Sequence, residues 1–250
     1  MAEDPNSWEP ATRLIRGGLN RSNFGETSEA LFLTQSYAYE SAGAADRRFS
    51  GEDPGFVYSR YANPTTQMFE ERLALLEGAE HCRALASGMA AVHVALTGLL
   101  KAGDHLVAGR ALFGSCNWIV AQYLPRFGVE TTFVDATDLD AWKAAMRPNT
   151  RVVLLESPAN PLLEITDIEE VAKIAHAAGS KVVVDNVFAT PIFQKPLTMG
   201  ADVVVYSATK HIDGQGRVLG GAILGDKSLL EDAYRDYFRH TGPAMSPFNA

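Results

Sequence analysis

The sequence predicts an α/β fold, a mostly parallel sheet flanked by helices on both faces, and three observations predict it. Arg151 to Leu155 (RVVLL), Lys181 to Val184 (KVVV) and Asp202 to Val205 (DVVV) are apolar, β-branched runs without polar alternation. Strands of that kind are buried on both faces. Between the runs lie segments of helical character: Leu139 to Met146 follows Asp138, and Asp167 stands as N-cap to a segment reaching Ala178. A chain of 250 residues, 46% hydrophobic and 21% charged, also has the apolar material for a substantial core, in one large domain or two small ones.

Taken in order, the chain begins with little periodicity. Met1 to Thr12 has no apolar stretch and reads as a loose terminus, not a signal peptide. Gly17-Gly18, Ser22-Asn23 and Gly51 to Gly55 punctuate the stretch up to residue 60, yet Leu31, Phe32, Leu33, Tyr37 and Tyr39 are too apolar for a free tail. Residues 1–60 are therefore expected to form an arm, packed on its own domain or, in the sharper reading, on a neighbouring subunit, with 61–250 as the main domain. Asn63-Pro64 is a helix start, an N-cap acceptor followed by proline at the first helical position. Phe69, Leu73 and Leu76 continue it at helical spacing and Gly78 stops it. A second helix is predicted over Gly88 to Leu100, its Ala90, Ala91 and Ala95 suiting a close neighbour. His105 to Ala108 and Thr131 to Val134 are further strand candidates. The whole reads as a βαβ series without internal repeats.

The formal net charge is −8, from 22 basic and 30 acidic residues without a basic block, which argues against nucleic acid as a partner. No apolar run approaches the ~20 residues that span a bilayer, so no membrane partner is expected. The two cysteines, Cys82 and Cys116, suit a cytoplasmic chain with reduced thiols better than a disulfide scaffold. The histidines have no metal-ligand spacing, and no metal is expected.

Ligands of open α/β sheets bind outside the carboxyl ends of the strands. Glu156, Ser157 and Asn160 follow RVVLL; Asp185 and Asn186 follow KVVV; Ser207, Thr209 and Lys210 follow DVVVY. An acid, amides, hydroxyls and a lysine thus converge on one rim. A lone strand-end lysine is usually a solvated residue, but a pyridoxal cofactor needs this company: an amine for its aldehyde, an acid at its pyridine nitrogen and donors for its phosphate. Lys210 and Asp185 supply the first two. Ser87-Gly88-Met89 opens a helix, where free N–H groups and the dipole favour an anion, and Ser207 and Thr209 add hydroxyls. Taken singly, each has a bland alternative: Asp185 as a turn residue, the SGM segment as close helix packing, Phe113 as a core aromatic and Cys116 as a small packing residue.

The segments YSRYANPT (Tyr58 to Thr65), ASGMAA (Ala86 to Ala91), KAGDH (Lys101 to His105), ESPANPLLE (Glu156 to Glu164), VDNVFATP (Val184 to Pro191) and SATKHIDGQGR (Ser207 to Arg217) resemble the Cys/Met-metabolism family of pyridoxal-phosphate enzymes. LFGSC (Leu112 to Cys116), KHIDGQGRVLGG (Lys210 to Gly221) and TGPAMSPFNA (Thr241 to Ala250) resemble its homoserine-ester sulfhydrylase branch, the users of the succinyl ester most closely; users of the acetyl ester and cystathionine γ-synthases are the alternatives.

The resemblance implies the large domain of an aspartate-aminotransferase-like, fold type I enzyme holding pyridoxal 5′-phosphate. Lys210 would bind the cofactor aldehyde and serve as the catalytic base. Asp185 would pair with the ring nitrogen, and Gly88, Met89, Ser207 and Thr209 would hold the phosphate. Asn160 would lie near the ring hydroxyl. Tyr58 and Arg60 would reach the phosphate of a neighbouring subunit's cofactor, implying a homotetramer built from dimers that share active sites. Phe113 occupies a position where most members carry tyrosine: stacking on the ring is kept, the hydroxyl is lost, and Tyr58 becomes the candidate to move the proton. In the family the chain continues past the SPFNA segment, itself expected to be helical, into a smaller C-terminal domain whose arginine grips the substrate carboxylate. A protein of these 250 residues alone would then be a cofactor-binding fragment that turns over poorly.

Overall fold

Seven strands, β1 (His81–Leu85), β2 (His105–Gly109), β3 (Glu130–Val134), β4 (Thr150–Glu156), β5 (Lys181–Asp185), β6 (Val203–Tyr206) and β7 (Gly221–Gly225), join in one sheet in the order β1-β7-β6-β5-β4-β2-β3. The structure is a computed structural model that describes residues 4–250. Pairing is parallel from β6 through to β3, while β7 runs antiparallel to both its neighbours. All strands except β7 therefore end on the same edge of the sheet.

The helices are α1 (Pro10–Arg16), α2 (Ala42–Ser50), α3 (Pro64–Glu77), α4 (Gly88–Thr97), α5 (Gly114–Trp118), α6 (Leu139–Ala145), α7 (Ile168–Ala177), α8 (Thr190–Phe193), α9 (Lys227–Leu229) and α10 (Arg235–His240). Side chains of a strand alternate between faces, and the core divides accordingly. Val152 and Leu154 join Val92, Ala95 and Leu96 of α4 on one face, whereas Val153 and Leu155 join Trp142 of α6 and Ile168 and Val171 of α7 on the other. This is why the strand runs lack polar residues. The caps are as expected: Asn63 Oδ1 accepts from Thr65 N–H at 2.8 Å, Asp167 Oδ1 from Glu170 N–H at 3.1 Å, and Gly78 takes the left-handed conformation (φ 83°).

Several expectations are corrected. Beyond Met1 to Glu3, which lie outside the described residues, the supposedly loose start contains α1, with Pro10 in its first turn. β6 starts after Asp202, whose carboxylate instead accepts from Lys181 Nζ (2.7 Å) and Val182 N–H (2.8 Å). The second helix stops at Thr97, short of Leu100. The terminal segment is a turn, not a helix, with the Asn249 and Ala250 N–H groups both donating to Ser246 O.

Residues 4–60 lie against α3 of their own chain. Arg13 Nη1 donates to Leu75 O (3.1 Å), Arg72 Nε to Gly17 O (2.9 Å) and Asn63 Nδ2 to Phe32 O (2.9 Å). The same segment leaves Phe24 95% and Leu33 64% exposed, so one side of the arm is packed and the other is apolar and open. No helix among the described residues is long and apolar enough to cross a membrane.

Trp142 is wholly buried, and its Nε1 donates to Ala136 O at 3.1 Å. Trp142→Ala should destabilise the fold by ~3–5 kcal/mol through cavity formation, read as a lower denaturant midpoint; a loss under ~1 kcal/mol would mean that this face tolerates collapse.

Candidate active site

The sheet edge where the strands end gathers the polar residues. Glu156 ends β4 and Asp185 ends β5, and they are register partners on adjacent strands. β6 ends at Tyr206 and leads into Ser207 to Lys210; β1 leads through Ser87 into α4. Ser87 caps α4, its Oγ accepting from Ala90 N–H at 3.1 Å. The first N–H groups of that helix, from Gly88 and Met89, have no acceptor within the helix. A Cβ on Gly88 would sit 2.5 Å from Ser207 Cβ, so the absent side chain is what lets the helix start and the Ser207 hydroxyl face one small space. Gly221 is required for the same reason: a Cβ there would overlap the Ser87 carbonyl.

Asp185 is buried, and the only donor to its carboxylate among the described residues is Val187 N–H, at 3.1 Å on Oδ1. Burial, reinforced by the charge of Glu156, pushes its pKa up to about 7. Glu156 is also buried and its pKa is raised by desolvation, opposed by two backbone donors: Phe113 N–H on Oε2 at 2.6 Å and Asn160 N–H on Oε1 at 3.0 Å. One carboxylate thus ties the loop after β2 to the loop after β4 and fixes the spacing of Phe113 and Asn160. Glu156 was visible in sequence as a rim residue; its clamp was not, because Phe113 lies 43 positions away.

The other predicted residues divide. Lys210 is exposed on a tight loop, its N–H donating to Ser207 O at 3.2 Å and its carbonyl accepting from Gly214 N–H at 2.8 Å. Thr209 stands at the rim, but its hydroxyl accepts from Gly220 N–H (3.0 Å) and donates to Gly220 O (3.2 Å); giving a hydrogen bond to a phosphate requires releasing that carbonyl. Phe113 is 43% exposed, with a free ring. Among the described residues no hydrogen bond, ion pair or ring contact ties Tyr58 or Arg60 to a rim residue. The Arg60 guanidinium lies over the Tyr58 and Tyr61 rings, 5.2 and 5.0 Å from their centroids. Asn186 turns inward: its Nδ2 donates to Tyr206 Oη (2.6 Å), which donates to Glu77 Oε2 (2.5 Å). It braces the site from beneath. Cys82 and Cys116 are free and buried, and burial raises both thiols.

This donor set fits pyridoxal 5′-phosphate. The buried Asp185 carboxylate lacks a cation, which a protonated ring nitrogen supplies. The cradle at Gly88 and Ser207 offers helix-end N–H groups and a hydroxyl to a phosphate, and Lys210 offers an amine. Fold and site together define a fold type I, pyridoxal-phosphate-dependent protein.

Residues 11–250 match the family model for Cys/Met metabolism PLP-dependent enzymes, and the chain belongs to that family. It is 56% identical to an O-succinylhomoserine sulfhydrylase of Mycobacterium tuberculosis (strain ATCC 25618 / H37Rv), over 98% of this chain and 61% of the relative. A Pseudomonas aeruginosa protein of the same description is 48% identical, over 96% of this chain and 59% of the relative. An L-methionine gamma-lyase of Treponema denticola is 41% identical, over 96% and 61%. The chain therefore spans about three fifths of the length of these curated relatives. Among solved structures, metB of Corynebacterium glutamicum superposes with a TM-score of 0.92 at 34% identity, covering 99% of this chain and 63% of its own. A putative O-acetylhomoserine (thiol)-lyase, metY, of Campylobacter jejuni has a TM-score of 0.90 at 29% identity, covering 97% and 68%, and contains N′-pyridoxyl-lysine-5′-monophosphate.

The raised acid sets a pH dependence. Without cofactor, Asp185 holds its proton more tightly folded (about 7) than at its ordinary value of 3.8. Its favourable contribution is complete below 3.8 and disappears as pH climbs through 7, at up to ~1.4 kcal/mol per pH unit. Asp185→Asn should flatten this part of the stability profile of the cofactor-free protein, measured by denaturant midpoints from pH 4 to 8; an unchanged slope would contradict the assignment.

Proposed function

We propose that the protein catalyses γ-replacement on O-succinylhomoserine, with sulfide as donor and homocysteine and succinate as products, in methionine biosynthesis. The observation that carries this reading is the convergence of Lys210, Asp185, Ser207 and Gly88 on one sheet edge, supported by the 56% and 48% identity to succinyl-ester sulfhydrylases. When bound, pyridoxal phosphate supplies an aldehyde that joins to amines and a ring that takes up electrons released at the substrate's α-carbon.

The chain's residues do the rest. Asp185, ionised once it faces a cation, keeps the ring nitrogen protonated. Gly88 and Met89 N–H and the Ser207 hydroxyl hold the phosphate, with Thr209 as a further hydroxyl. Lys210 Nζ takes the proton from the substrate's Cα and then moves protons at Cβ, so that succinate leaves from Cγ and sulfide adds there. Phe113 would cover the ring face and Asn160 would stand near the ring hydroxyl, the backbone N–H of each being held by Glu156. Phe113 has no hydroxyl, so a second proton carrier has to come from elsewhere, and Tyr58 takes that role.

Tyr58 and Arg60 serve the cofactor of a neighbouring copy. That neither makes a contact with a rim residue among the described residues supports a shared site, and the exposed Phe24 and Leu33 of the arm support packing on a neighbour. The assembly is a homotetramer of such dimers, with 61–250 as the cofactor domain. The free, buried cysteines support a cytoplasmic location.

Borohydride treatment followed by peptide mass analysis should place cofactor mass on Lys210, and Lys210→Ala should lose it; trapped cofactor on another lysine would overturn the site. Arg60→Ala should weaken cofactor affinity about tenfold to a hundredfold, the ~1.5–3 kcal/mol of a charged hydrogen bond, and unchanged affinity would remove the shared-site reading. Steady-state assays of succinyl and acetyl esters against sulfide and cysteine should give the highest kcat/KM for the succinyl ester with sulfide. A preference for the acetyl ester or for cysteine would reassign the substrate without touching the cofactor site.

A further inference from the structure

We propose that Glu77 is a positioning residue of the active site, acting through a buried hydrogen-bonded chain that fixes the spacing of the three strand ends carrying Ser207, Asp185 and Glu156. The inference rests on the reading that these strand ends hold pyridoxal phosphate. Three members of the chain each stand next to a rim residue: Tyr206 precedes Ser207, Asn186 follows Asp185 and Ser157 follows Glu156. Glu77 closes α3, and Gln194 follows α8.

The direction of every bond in the chain is forced. Ser157 O is a carbonyl and can only accept, so the Gln194 group 2.7 Å from it is the amide nitrogen. The second hydrogen of that nitrogen goes to Asn186 Oδ1, at 2.8 Å. Asn186 Nδ2 is thereby left to donate, and it does so to Gln194 O (2.9 Å) and to Tyr206 Oη (2.6 Å). The Tyr206 hydroxyl accepts from Asn186 and has one hydrogen to give, which goes to Glu77 Oε2 at 2.5 Å. A chain that starts on a donor must end on an acceptor, and Glu77 is that acceptor.

Packing alone does not ask for such a chain. Asn186 and Glu77 are wholly buried and Tyr206 nearly so, and apolar groups of the same shape can replace a buried hydrogen-bonded pair at little cost. A satisfied buried chain instead specifies one arrangement. Here it joins the loops after β4, β5 and β6 immediately beneath the groups that face the cofactor. Backbone strain sits on the same turn. Thr190, β-branched, has a φ of 58°, a state that persists where its surroundings over-determine it, and its N–H donates to Asn186 O at 3.1 Å. Groups at a reaction site must be held to within about 0.5 Å by the residues that support them, and this chain is such a support.

The test is titration of the cofactor-free protein with pyridoxal phosphate, followed by visible-region circular dichroism, whose signal per bound cofactor reports how the cofactor lies in its site. Tyr206→Phe, which cuts the chain, and Glu77→Met, which removes its acceptor, should each raise Kd about threefold to tenfold, the scale of one net hydrogen bond, and alter the signal per bound cofactor. Glu77→Gln keeps an oxygen to accept from Tyr206 and should restore both. Should the first two variants fail to fold, Gln194→Met, at a half-buried side chain, must produce the same two changes. A purely structural brace would lower the denaturant midpoint of the cofactor-free protein and leave Kd and the signal unchanged; that result, or a Glu77→Gln variant as impaired as Glu77→Met, overturns the proposal alone. A wild-type protein that binds no pyridoxal phosphate overturns the cofactor reading and this proposal with it.

Discussion

A carboxylate buried at the end of β5, beside a second carboxylate in register on β4, is the constraint around which the rest of the rim is arranged. Two acids so placed cannot both ionise without compensation. The protein treats them differently. Glu156 receives two backbone N–H groups and becomes a clamp. Asp185 receives one, and its pKa stands at about 7 until a cation arrives. A protonated ring nitrogen of pyridoxal phosphate would be such a cation, and placed there it would relieve a desolvation that folding alone imposes. On the proposed reading, affinity for the cofactor and the electronic tuning of its ring come from the same buried group.

The sheet makes that placement possible. Parallel strands from β6 to β3 put Asp185, Glu156 and Ser207 on one edge, and β1, though at the far side of antiparallel β7, ends on the same edge and delivers the start of α4. The crossing of β7 past Ser87 is so close that Gly221 admits no side chain. Beneath the rim, Asn186, Tyr206 and Glu77 form a hydrogen-bonded chain that joins β5, β6 and α3. Burial pushes Glu77 up to about 7, opposed by the Tyr206 hydroxyl that donates to it.

Much of this was legible in the sequence, for physical reasons. Val152 to Leu155, Val182 to Val184 and Val203 to Val205 are buried on both faces, so they lack polar alternation and read as strands. Asn63, Asp167 and Gly78 read as caps because their chemistry is local. β1 (HCRAL) and β7 (GAILG) did not read as strands: one is a polar-flanked edge whose Arg83 is paired with Glu70, the other is bounded by glycines needed for close crossing. The roles of Glu156 and Asn186 escaped because their partners lie far away in sequence. Asn186 reaches Tyr206, which reaches Glu77 across 129 positions. Thr209 was legible as a rim hydroxyl, while its engagement with Gly220 depended on a loop whose return no local pattern marks. Lys210 stood out only through its company, since an exposed strand-end lysine is ordinary when alone.

The most direct test of the central claim is the protonation state of the cofactor's ring nitrogen, read by NMR of the protein loaded with ¹⁵N-labelled pyridoxal phosphate. The account predicts a protonated nitrogen at neutral pH in the wild-type protein and an unprotonated one in Asp185→Asn. An unprotonated nitrogen in the wild type, or one whose state is indifferent to the substitution, would contradict it.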